Sequence, residues 1–94
     1  MEFLLPADPR FAQAQRALRH ELAARFGGVT SHVRTPARGL WQEGGGDIEA
    51  DDVVAHEVLV PRLDPRWWSA FRRRLEVDFE QDVVVLRASR VRML

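Results

Sequence analysis

The chain has 94 residues, 46% of them hydrophobic and 30% charged, with a formal net charge of zero. That is enough for one domain and too little for a second core, and neutrality removes the long-range field that recruits nucleic acid or an anionic membrane surface. All 14 basic residues are Arg, and Cys, Lys, Tyr and Asn are absent, which rules out a disulfide framework, a thiolate nucleophile, a Cys-bound zinc, a Schiff-base lysine and a tyrosine acid. No basic-then-apolar leader opens the chain and no run approaches the roughly 18 apolar residues of a membrane span, so the expected setting is the cytoplasm.

In chain order, residues 1–5 (MEFLL) read as a strand that ends near Pro6. Asp8-Pro9 is a helix-start signal: the carboxylate accepts orphan N–H groups, and proline at the first helical position lacks a donor that had no partner. A helix is expected from Pro9 to Phe26, with Phe11, Ala14, Leu18, Leu22 and Phe26 as its apolar stripe and Gly27-Gly28 as its left-handed stop. Val29 to Val33 follows as a strand that resumes at Gly39–Gln42 after an interruption at Pro36–Gly39. The acid-rich stretch 41–52, WQEGGGDIEADD, reads as a hairpin loop turning on Gly44-Gly45-Gly46.

Residues 52–60 (DVVAHEVLV) form the next strand, and Asp64-Pro65 repeats the earlier signal, so that LLPADPRF and LVPRLDPRW are two copies of one strand-to-helix junction. The second helix is expected from Pro65 to Phe79 with Trp68, Phe71, Leu75 and Phe79 buried. Asp82 to Ala88 then gives the last strand. The order β-α-β-β-α-β in one domain of this length predicts an α+β ferredoxin-like sandwich, a four-stranded antiparallel sheet with both helices on one face.

The central strand is apolar on both parities: Val53, Ala55 and Leu59 on one, Val54, Val58 and Val60 on the other. Two helices cover one face, so the other calls for a cover, and a second copy of the chain is the expected one, through the open sheet face or an edge.

Candidate chemistry is sparse. His56 and His32 are the residues that could serve as a general base; in the kinked segment HVRTPARGLW, Arg34 or Arg38 could bind a small carboxylate with Trp41 as the pocket's floor, and Glu57 is a further candidate ligand-binding residue. Successive strand residues face opposite sides, so His56 and Glu57 do not share one metal, and the acid stretch fails the calcium-loop pattern because its glycines precede its acids; no metal site and no cofactor are implied. A hairpin centred near Gly45 would set Arg34 opposite His56 and Val33 opposite Glu57.

The segments FGGVT at 26–30, PARGLW at 36–41, DDVVAHEV at 51–58 and WWSAFRRRLEVDFEQD at 67–82 together resemble a family of small uncharacterised bacterial proteins. The resemblance implies the same ferredoxin-like layout and, since that family has no established activity, no functional residue. Other users of this fold are tested by inventory. An RNA-recognition module needs aromatics on its central strands, a metallochaperone needs a Cys pair and an acylphosphatase-like site needs an Asn, and the required residues are missing. Dimeric α/β-barrel enzymes need less, a pocket and often a histidine. The expected function is therefore a non-catalytic binding or assembly module, homodimeric, with a small-molecule ligand possible and neither nucleic acid nor membrane as partner. The alternative is a small cofactor-free enzyme acting on an apolar or aromatic substrate, with His56 as base and Arg34 or Arg38 holding an anionic group.

Overall fold

A computed structural model describes residues 1–35 and 52–94. Its elements are β1 (Glu2–Pro6), a 3-10 turn at Pro9–Phe11, α1 (Ala12–Phe26), β2 (Thr30–Arg34), β3 (Val53–Glu57), α2 (Pro65–Asp78) and β4 (Leu86–Arg87). The strands form one antiparallel sheet in the order β2-β3-β1-β4. Each helix thus connects two strands separated by a third, the ferredoxin-like arrangement. No helix among the described residues is long and apolar enough to cross a membrane.

Both Asp-Pro signals act as expected. The Asp8 carboxylate accepts the Arg10 amide at 2.9 Å, and Asp64 accepts those of Arg66 and Trp67 at 3.1 and 3.3 Å. The first junction opens as a single 3-10 turn before the α-helix takes over. Gly27, at φ 87°, closes α1 in the left-handed conformation that spares a Cβ clash. At the end of α2 the same conformation falls to Glu80, at φ 51°. There Gln81 N–H reaches the Glu76 carbonyl at 2.9 Å and Glu80 N–H that of Val77 at 3.2 Å, the two bonds of a Schellman ending.

Phe3 and Leu5 of β1 point to the helices and meet Leu18 and Leu22 of α1 and Trp68, Phe71 and Leu75 of α2 in one core. Both helices therefore lie on the same face of the sheet. Trp68 is core, whereas Trp67 sits half-buried at the helix seam, stacked on Phe71 and covered by the Arg25 guanidinium 4.3 Å from its ring.

Two expectations need correction. The last strand shrinks from Asp82–Ala88 to Leu86–Arg87. The Val84 amide donates instead to the Glu76 carboxylate at 2.9 Å, which draws the chain toward α2 rather than along β1. The β2–β3 register is also displaced: Arg34 lies opposite Val53, Ser31 opposite His56 and Thr30 opposite Glu57. The displacement is an odd number of residues, and in a pleated strand an odd slip exchanges the faces. The break at 36–39 and its resumption at 39–42 lie outside the described residues.

Candidate functional site

The alternation of β3 divides the candidate residues. His56 pairs with Phe3 and Ser31 on the helix side, whereas Glu57, Arg34 and His32 all lie on the opposite face. His32 sits beside Ala55, and Glu57 beside Thr30 and Glu2. The sheet therefore separates His56 from Arg34, and the pairing of a base with an anion-holding arginine does not assemble there. Arg38 and Trp41 lie outside the described residues.

His56 is fully buried. Its Nε2 lies 2.7 Å from Gln15 Oε1 and its Nδ1 lies 2.7 Å from Ser31 Oγ. The proton positions follow from the end of the chain. The Pro6 carbonyl can only accept, and it takes a hydrogen bond from Gln15 Nε2 at 3.0 Å. That bond turns Gln15 Oε1 toward the imidazole, so His56 Nε2 carries the proton and Nδ1 is left to accept from the Ser31 hydroxyl. The Phe3 ring packs on the imidazole at 5.2 Å between centroids. The relay ties β1, α1, β3 and β2 together, and no buried side-chain polar atom among the described residues lacks a partner.

A serine within 2.7 Å of a histidine that a third group orients is the layout of an activated nucleophile. The electrostatics oppose that use. Burial, reinforced by the Arg19 and His32 charges, pushes the His56 pKa down to about 4. Gln15 is neutral and gives an imidazolium no counter-charge. At neutral pH the ring is a hydrogen-bonding strut and a poor proton acceptor.

Access points the same way. The described clefts have volumes of about 700, 350, 400 and 420 Å³, and neither His56 nor His32 lines any of them. The largest runs between the β3–α2 connection and the C-terminal segment, from Leu59 and Leu63 to Val91. Glu57 lies on its rim without a basic neighbour paired to it among the described residues.

The face away from the helices carries the remaining features. Leu4 is 44% exposed; Val83 and Val85, 70% and 71% exposed, line one cleft with Leu4, Glu2 and Arg87 at the β1–β4 edge and another with the start of α2. On the same face as Leu4 lie exposed His32, Arg34 and Glu57, half-buried Val53, and Ala55, which is only 3% exposed, with Glu2 and Arg87 paired at 3.1 Å at one end. Sequence reasoning selected His56 and missed both of its partners. Gln15 left a trace: it stands four residues after Phe11 and three before Leu18, on the buried stripe of α1 where an apolar residue belongs. Ser31 left none, because its contact depends on the register. Comparison with protein-family models, with curated proteins and with solved structures gives no match for this chain.

Proposed function

We propose that this chain is a non-catalytic assembly module that works as a homodimer, with the sheet face opposite the helices as its binding surface. The observation that carries the reading is the contrast between the faces: the chemically capable residue is sealed and saturated in the core, while Leu4 of β1 on the other side, and Val83 and Val85 at the sheet edge beside it, stand in solvent. Leaving such groups wet forfeits roughly 25 cal/mol per Å² of apolar surface, and covering them supplies the drive to associate.

Sedimentation equilibrium of the wild type and of Leu4→Glu tests it. Leu4 is exposed, so the monomer fold tolerates the change, while a carboxylate in the middle of the contact opposes pairing. A wild-type dimer that Leu4→Glu dissociates supports the reading. A wild type that stays monomeric as concentration rises, or a dimer indifferent to Leu4→Glu, contradicts it.

The enzyme alternative retains one observation, the Ser31–His56 contact of 2.7 Å. A serine-directed fluorophosphonate that labelled the wild type and not Ser31→Ala would move the reading toward catalysis.

A further inference from the structure

We infer that two copies pair open face to open face about a two-fold axis running across the strands, which sets Arg34 of each copy against the Glu57 end of the other. The inference rests on the self-association proposed above and adds its geometry and its polar contacts.

The register lays the open face out in rows. The first row runs Thr30, Glu57, Glu2, Arg87 from β2 to β4. The second runs His32, Ala55, Leu4, and the third runs Arg34, Val53, Pro6. Two carboxylates and one guanidinium therefore sit at one end, a mostly apolar band in the middle, and a single guanidinium at the far end. The end rows are four residues apart along the strands, about 13 Å.

Stacked sheets lie about 10 Å apart, and a closed dimer of identical faces needs a two-fold axis in the plane between them. Two principal axes are available, and charge separates them. With the axis along the strands, first row lies on first row: Glu57 faces Glu2 of the second copy, four carboxylates meet two guanidiniums at one end, and the two copies of Arg34 remain together at the other. With the axis across the strands, first row lies on third. Each end then holds two carboxylates and two guanidiniums, and the middle row lies on itself, with Leu4 and His32 each over its own copy and Ala55, only 3% exposed, between them. Arg34 falls over Thr30 of the second copy, one strand spacing from Glu57, within the combined reach of the two side chains. Neither Arg34 nor Glu57 has an ion-pair partner among the described residues, and both are exposed. Like charges set face to face cost an interface more than matched charges contribute, so the pattern selects the crossing axis.

A charge swap tests this. Sedimentation equilibrium is run on the wild type, Arg34→Glu, Glu57→Arg and the double variant, with thermal melts to show that each folds. Each single reversal is expected to weaken the dimer roughly tenfold, since it turns two attractive contacts into repulsive ones. The double variant is expected to regain wild-type affinity. If a reversal unfolds the chain, Arg34→Gln and Glu57→Gln carry the same test, each weakening the dimer. A monomeric wild type overturns the self-association and this geometry with it. A wild-type dimer that the single variants leave unchanged, or a loss that the double variant does not recover, overturns the geometry alone.

Discussion

The two faces of β3 are built from the same kind of residue and part company at their polar side chains, since Ala55 on the far face is itself only 3% exposed. On the helix side His56 has both ring nitrogens bonded and Phe3 packed against it, and Val58 beyond it is fully buried. On the other side Glu57 is exposed with no ion-pair partner among the described residues, and the neighbouring Leu4 is 44% exposed. A histidine on an apolar strand carries no function by its identity alone; the face it occupies decides whether it is a strut or a site. Here the polar residue most suited to chemistry is used for cohesion, and the simpler face is the one we propose as the binding surface.

The largest expected effect breaks the closed face. Leu22 is fully buried, so Leu22→Ala should lower unfolding stability by about 2–5 kcal/mol in urea titration. Val85→Ala, at an exposed position just before β4, should change the monomer by about 0.5 kcal/mol or less. Any further loss with Val85→Ala should grow with protein concentration, because only the dimer feels it.

Acid should act next. The His56 pKa falls from 6.5 in the unfolded chain to about 4 in the fold, so the unfolded state binds the extra proton first. The stability that depends on neutral His56 is complete above pH 6.5, declines as pH falls, and is gone once pH passes the folded value near 4. The total loss is about 3 kcal/mol. Denaturant titrations across that range should show the slope, and His56→Gln should flatten it.

Gln15→Ala removes the orienting acceptor and leaves the His56 N–H buried without a partner, a loss of about 1–3 kcal/mol. In nuclear magnetic resonance the His56 ring should then lose its single tautomer. Glu80→Gly should do the reverse of all these. It relieves a left-handed non-glycine residue and gives up only an exposed pair with Arg10 at 3.4 Å, for a gain of about 0.5–1 kcal/mol read as a higher melting temperature.

The parts legible in the sequence are those fixed by neighbours along the chain. Asp8-Pro9 and Asp64-Pro65 start helices because capping is a contact of two or three residues, and Gly27 ends one because its own φ requires it. The order of elements, and with it the sheet, followed from those marks. The site did not, because its contacts cross between strands. Whether His56 meets Arg34 or Ser31 depends on the hairpin register, which no local signal sets, and an odd slip sends each side chain to the other face. The short β4 is similar: the Glu76 carboxylate that captures the Val84 amide comes from the preceding helix, and no pattern within 82–88 announces it.

The most direct measurement is an isotope-filtered nuclear Overhauser experiment on protein mixed from labelled and unlabelled chains, which records only methyl contacts between copies. The account predicts cross-chain contacts at the methyl groups of Leu4, Val53 and Val85 and none at Leu18, Leu22 or Leu75. Cross-chain contacts confined to the helices, or an absence of any in a sample that sediments as a dimer, would contradict it.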